Sequence, residues 1–288
     1  MKRENADLAS QSPTPSPKAK PMKGLWKRLL SSAVLISITC ATIFLAPRWM
    51  LFVVVTLFAV TGFYEYLRLL EKKGYSDNWM LPLFLSLFIP FAVLYSYEYF
   101  TFALIALILF LFHFKRETQN QAFACSALTV FGMVYIVWFM SYLIKIRYLE
   151  DGAFWVFYAI LLAKAGDAGA YFVGTRFGKM KLIEHISPNK SVEGAWGGFF
   201  TTVVLSLVCA VFYLKVSWLH FLGMGVFIGV VSQLGDLVES LIKREVGIKD
   251  SGTIPGLGGI LDVLDSLIFV MPFLYFYLHQ MVKIPLDI

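Results

Sequence analysis

Charge is what this sequence has least of. Only 15% of its 288 residues are Asp, Glu, Lys or Arg, against 58% hydrophobic. A soluble globular domain is about a quarter charged and nearer half apolar, so an ordinary soluble core is excluded. Cysteine is also sparse: Cys40, Cys125 and Cys209 all lie in apolar runs or at their edges. They have no metal-ligand spacing and no disulfide framework, and read as small apolar side chains. The histidines do not cluster. His113, His220 and His279 lie near the ends of apolar runs, and His185 lies in a polar loop, where it reads as solvated. No convincing internal repeat is present, which weighs against the repeat-built transporter folds. No A-x-A-like site follows the first apolar run, so that run is expected to be retained rather than cleaved.

Long apolar runs are what the sequence does have. A helix needs roughly 20 largely apolar residues to cross the hydrocarbon core. Nine spans are expected, at 29–46, 50–67, 80–97, 100–114, 126–146, 154–174, 196–214, 218–240 and 261–280. The fold class is therefore all-α, a polytopic transmembrane helix bundle. Residues 1–22 are polar, with Pro13, Pro15, Pro17 and Pro21, and are expected to form a disordered tail. Pro82, Pro90 and Pro272 fall inside spans, where neighbouring helices can satisfy the freed backbone groups. Trp26, Trp49, Trp79, Trp155, Trp196 and Trp218 each lie near a span start, as in an interfacial aromatic belt.

Orientation follows from the basic residues. With the N-terminus cytoplasmic, nineteen of the 25 Lys and Arg fall on inside segments, five outside, and Lys164 within a span. That bias predicts an N-terminus inside. It also puts the two long polar loops, 175–195 and 241–260, on the cytoplasmic side, within reach of a soluble nucleotide.

Intramembrane charges are functional candidates by default, because each costs several kcal/mol in hydrocarbon. Lys164 and Asp167 lie three apart on one helix face. Mutual pairing and function are both open for them. Asp236 and Glu239, with Lys243 a turn later, end the eighth span, and Asp262 and Asp265 open the ninth. Four carboxylates near one face outnumber the cations available to pair with them. Hard oxygens converging from two helices suit Mg²⁺. The stretch GTRFGKMKLIEHISPNKSVEGAWGG at 174–198 adds Arg176, Lys179, Lys181 and Lys190 among glycines. Backbone amides with cations suit phosphate, although a basic cytoplasmic loop is expected anyway. Residues 232–266 are sharper: Asp236, Glu239, Lys243, Arg244, Lys249 and Asp250 precede Pro255, Gly256, Gly258 and Gly259, then Asp262 and Asp265. Carboxylates on two helices flanking a glycine-rich loop with cations make a plausible metal-assisted phosphoryl-transfer site. An ordinary hairpin with snorkelling lysines is the plain alternative.

At these residues the chain resembles the phosphatidate cytidylyltransferase (CDP-diacylglycerol synthase) family. The family pattern, S-x-x-K-R-x4-K-D-x-G followed by P-x-H-G-G-x-x-D-R-x-D, is met by Ser240, Lys243, Arg244, Lys249, Asp250, Gly252, Pro255, Gly258, Gly259, Asp262 and Asp265. Asp167 to Gly174, Phe177 to Lys179, Ser187 to Gly194 and Gly235-Asp236 also resemble it. The likeness covers about residues 160–275. Leu257 stands where the family has histidine, Val263 where it has arginine, and the stretch from Asp250 to Pro255 is one residue short.

The resemblance implies a nucleotidyltransferase. The phosphate of phosphatidate attacks CTP, giving CDP-diacylglycerol and pyrophosphate. It implies Mg²⁺, with or without a second cation, on Asp236, Asp262, Asp265 and Glu239. Lys243, Arg244, Lys249 and Asp250 become the catalytic group. Asp167, Lys190, Ser191, Glu193, Gly258 and Gly259 bind or position the nucleotide. The chain then divides into the tail 1–22, N-terminal helices 23–150 and a catalytic domain 151–288. Its partners are CTP, phosphatidate and membrane lipids, without nucleic acid, and a homodimer is left open. The place is the cell membrane, with the site facing the cytoplasm. Two rivals remain: a CTP-dependent polyprenol kinase of related fold, and an ion-coupled transporter using Asp167 and Asp236.

Overall fold

A computed structural model describes residues 37, 39–75, 79–114, 122–248, 251–252 and 258–286. The expected tail and half of the first expected span lie outside them, as do Lys249, Asp250, Pro255, Gly256 and Leu257. Helices follow one another: α1 Arg48–Lys72, α2 Met80–Ser86, α3 Phe88–Leu94, α4 Glu98–Phe114, α5 Ala122–Gly132, a π-helical turn Met133–Trp138, and α6 Phe139–Arg147. Then come α7 Gly152–Phe177, strands β1 Lys181–Ile183 and β2 Ser187–Ser191, α8 Val192–Phe212, α9 Trp218–Glu245, α10 Ile260–Ile268, α11 Val270–Phe276 and a second π turn Tyr277–Met281.

Six helices are long and apolar enough to cross a membrane: Arg48–Lys72, Phe123–Arg147, Gly152–Phe177, Val192–Phe212, Trp218–Glu245 and Ile260–Met281. The third and fourth expected spans coincide with two shorter apolar helices, Met80–Leu94 and Glu98–Phe112. Two proline breaks have a simple cause. Pro90 and Pro272 lack the N–H that would reach back four residues, to Ser86 and Ile268, where α2 and α10 stop.

The chain is mostly helical, as expected, and the long polar loop expected at 175–195 holds one short hairpin. β1 and β2 pair antiparallel there, with Lys181 opposite Ser191 and Ile183 opposite Ser187. The Lys181 ammonium donates to the Pro188 carbonyl at 2.6 Å across the turn. α8 begins four residues earlier than expected, because the Ser191 side chain caps it by accepting from the Gly194 amide at 3.1 Å.

The bundle core is aliphatic and aromatic, with Phe63, Tyr66, Met133, Tyr135, Trp155, Tyr158 and Phe221 fully buried. Phe172, Phe200, Val204, Val211 and Phe212 face outward, as lipid-facing residues of a span do. α7 and α8 meet closely through small residues. A side chain at Gly198 would come within 2.8 Å of the Gly166 carbonyl, so glycine is what allows the approach. α9 and α10 meet likewise at Gly235, where any Cβ would strike the Asp265 carbonyl. These two close seams bring α7, α8, α9 and α10 together at one end of the bundle.

Candidate active site

The C-terminal ends of α7 and α9 and the N-terminal ends of α8 and α10 share that end, and their polar side chains converge there. Asp236, Glu239 and Lys243 are spaced three and four apart, which puts them on one face of α9. Asp265 comes from the first turns of α10. One carboxylate oxygen each from Asp236, Glu239 and Asp265 lie within 4.8 Å of one another. Glu239 is fully buried, and its Oε1 has no hydrogen-bond partner among the described residues. A buried, unmatched carboxylate is costly unless something positive completes it. Three hard oxygens at this spacing suit a divalent ion of the Mg²⁺ type.

Three lysines partly offset these acids. Lys190, at the end of β2, lies 2.5 Å from Asp236. Lys243 bridges Glu239 and Asp262, 2.5 Å from each. Lys164 lies 3.4 Å from Asp167 and 3.8 Å from Asp265, and donates to the Ser266 hydroxyl at 2.9 Å. That hydroxyl in turn donates to Asp167 at 2.9 Å. Beside the Lys190–Asp236 pair lies a cavity of about 620 Å³. Asp167, Thr175, Asn189, Lys190, Gln233 and Asp236 give it polar walls, while Ala170, Leu182, Ala195 and Leu237 give it apolar ones.

Not every expected residue joins this group. Asp262 stands apart from the three-oxygen cluster. Its Oδ2 accepts from the amides of Gly259 at 2.6 Å and Ser251 at 3.0 Å, so it closes the start of α10. Gly258 and Gly259 wrap this carboxylate rather than line the cavity. Gly258 has φ +84°, and a Cβ there would lie 2.5 Å from Asp262 Oδ2. Arg244 turns away, its Nε donating to the Ile186 carbonyl at 3.0 Å and its Nη1 to that of Ile248 at 3.2 Å, which pins the hairpin turn to the end of α9. Glu193 accepts from the amides of Lys179 at 3.0 Å and Met180 at 3.2 Å, closing the entry to β1. Ser191 caps α8 and also lines the cavity.

Sequence reasoning missed Ser266, Gln233 and Glu65. Ser266 looks like any small residue in an apolar helix. Gln233 is uncharged, and its amide donates to the carbonyls of Ala195 at 3.0 Å and Gly229 at 2.8 Å. Glu65 is different: a lone carboxylate in the apolar run of α1 carried the same signal as Asp167. It accepts from the amides of Ile260 and Leu261 at 2.9 Å each, and lies 2.8 Å from the Ser251 hydroxyl. A residue before 151 thus bonds to the start of α10.

Comparison with known proteins gives a consistent picture. The model of the cytidylyltransferase family matches residues 26–281. The chain is 44% identical over 179 residues to a phosphatidate cytidylyltransferase of Bacillus subtilis, covering 61% of this chain and 66% of that protein. It is 39% identical over 184 residues to a phosphatidate cytidylyltransferase of Staphylococcus haemolyticus, covering 62% and 69% respectively. An uncharacterized protein of Escherichia coli is 33% identical over 164 residues, 57% of this chain and 54% of its own length. These alignments span between about half and just over two thirds of the relatives.

Proposed function

The chain belongs to the cytidylyltransferase family, and from that premise we propose that it transfers the cytidylyl group of CTP to phosphatidate, releasing pyrophosphate. The phosphatidate cytidylyltransferases among its relatives support that pair of substrates. The observation that carries the reading is one arrangement: a three-carboxylate group and the Lys190–Asp236 pair beside a cavity of about 620 Å³.

In this reaction a phosphate oxygen of phosphatidate bonds to the α-phosphorus of CTP. The bond from that phosphorus to the bridging oxygen breaks, and pyrophosphate leaves with the electron pair. The nucleophile is already an anion, so little general-base help is needed. The difficulty is bringing anions together and holding them in line. Asp236, Glu239 and Asp265 would hold Mg²⁺, which when bound offsets charge on the phosphates. Lys190 is placed to exchange its Asp236 partner for a CTP phosphate. Lys243, held between Glu239 and Asp262, keeps one positive charge fixed beside the carboxylates. Lys249 and Asp250 belong to the same group by resemblance. The mixed polar and apolar walls of the cavity suit a ligand with a charged head and a lipid body.

The site is proposed to face the cytoplasm in the cell membrane, and the excess of basic residues on one set of loops supports this. The test uses purified protein in detergent–lipid micelles with Mg²⁺, phosphatidate and CTP labelled at either the α- or the γ-phosphorus. Transfer of α-label into lipid, abolished by chelator, supports cytidylyl transfer. Transfer of γ-label to lipid identifies a CTP-dependent kinase instead.

A further inference from the structure

Glu65 lies on α1, far along the chain from the three-carboxylate group, yet it is bonded both to Ser251, within the loop between α9 and α10, and to the start of α10. On one side the Ser251 hydroxyl lies 2.8 Å from its Oε2. On the other, the amides of Ile260 and Leu261 donate to Oε1 and Oε2 at 2.9 Å each. Those two amides are among the orphan donors that open any helix, and such a terminus is a ready anion seat. Here a carboxylate of the protein already occupies it, so a substrate phosphate must find its donors elsewhere.

The packing around this carboxylate is as specific as its bonding. A side chain at Gly252 would come 2.7 Å from Glu65 Oε1 and 2.8 Å from the Gly259 Cα. A side chain at Gly259 would strike Glu65 Oε2 and the Ser251 hydroxyl. Gly252 and Gly259 therefore leave the room that the carboxylate fills. From there a short chain of contacts leads inward. The Ser251 hydroxyl also lies 2.9 Å from Asp262 Oδ2. Asp262 holds Lys243, and Lys243 pairs with Glu239 of the three-carboxylate group.

We infer that Glu65 is a positioning residue for the proposed cytidylyl transfer. It pins Ser251 of the α9–α10 loop to the start of α10, so that Asp262, Lys243 and Glu239 keep their places beside the substrate phosphates. This rests on the function proposed above. Glu65 does not line the cavity, and its effect runs through the loop. Loss of the pin should therefore slow turnover at saturating CTP and leave CTP affinity nearly alone.

The experiment compares the wild-type full chain with Glu65→Gln and Glu65→Asp in detergent–lipid micelles. Gln keeps the length and loses the charge; Asp keeps the charge and shortens the reach. The first readout is amide hydrogen exchange at residues 258–262. The second is kcat and KM for CTP, per folded molecule. Expected for Glu65→Gln is exchange faster by about tenfold or more, since opening of the helix start becomes easier. Its kcat should fall about 10- to 100-fold, as small misplacements do, with KM for CTP within about threefold. Glu65→Asp should fall between Gln and wild type. The inference is overturned by unchanged exchange, by an unchanged kcat, or by a loss that follows only the folded fraction. If the wild type itself makes no CDP-diacylglycerol, the cytidylyltransferase reading fails. Exchange at 258–262 then still decides whether Glu65 pins the loop.

Discussion

The two ends of the bundle both carry ionisable groups, and they treat them in opposite ways. At the far end Glu98 and Lys145 form a pair, 3.3 Å apart, with each side chain only 6% exposed. Lys145 also reaches the Ser96 hydroxyl at 3.3 Å and lies over the rings of Tyr142 and Tyr275. Nearby, exposed Lys215 pairs with Glu150 at 3.1 Å and Asp151 at 2.6 Å, and Tyr213 donates to Asp151 at 2.9 Å. The cavity of about 620 Å³ is lined by none of these residues. At the site end, Glu65, Asp167, Asp236, Glu239, Asp262 and Asp265 face only Lys164, Lys190 and Lys243 among the described residues. Ionisable groups in a membrane protein are thus not by themselves a site. An uncompensated excess of one sign beside a cavity is what distinguishes one.

That contrast can be broken most sharply at the carboxylates. Asp265→Asn removes a charge and a ligand oxygen from the three-carboxylate group while keeping the shape. We expect kcat for CDP-diacylglycerol formation to fall about a thousandfold, with the protein still folded by thermal unfolding. Next in size is Lys190→Ala. Losing one charge-assisted contact to a phosphate should raise KM for CTP about 10- to 100-fold in steady-state assays.

The far end should respond in stability instead. Lys145→Ala leaves Glu98 buried without its cation and should cost about 3–5 kcal/mol, read by thermal or denaturant unfolding. Turnover per folded molecule should hold. The double variant Glu98→Leu/Lys145→Met should recover most of that loss, because an apolar pair of similar volume can replace a buried ion pair.

Smallest of all is Lys215→Ala. Hydrogen bonds from Lys215 and then Tyr213 hold the Asp151 carboxyl below its ordinary range. A depressed folded value gives stability that is fully present above the ordinary Asp pKa and is lost as pH falls through the folded value. Removing Lys215 should therefore move the acid limb of the unfolding curve to higher pH. The pair is exposed, so the shift in midpoint should be smaller than for Lys145→Ala, and activity should not change.

Much of this contrast was legible in the sequence. The hydrophobic runs located the helices, because a span needs length and apolarity and little else. Asp167, Asp236, Glu239 and Asp265 stood out because charge in an apolar run is expensive, Lys243 because it follows them by a turn, and Lys190 because it lies among glycines in a basic loop. What stayed hidden depended on direction rather than identity. The 174–198 loop gave no alternating pattern, so its hairpin was not foreseen; it is held by the Lys181, Glu193 and Arg244 side chains bonding to backbone. Arg244 and Asp262 carry the right chemistry for phosphate and metal, and the bonds they make to backbone carbonyls and to a helix start were not legible. Glu65 was readable by the same rule as Asp167. Its partners lie about 190 residues later in the chain, and no local pattern announces a contact at that separation.

The most direct test of the account sets Asp265→Asn beside Lys145→Ala in one assay. Both would be purified in detergent–lipid micelles with phosphatidate, CTP and Mg²⁺, and CDP-diacylglycerol and pyrophosphate measured per folded molecule. The account predicts near-complete loss of both products for Asp265→Asn and wild-type turnover for Lys145→Ala. Wild-type turnover by Asp265→Asn would contradict it and move the chemistry away from the three-carboxylate group.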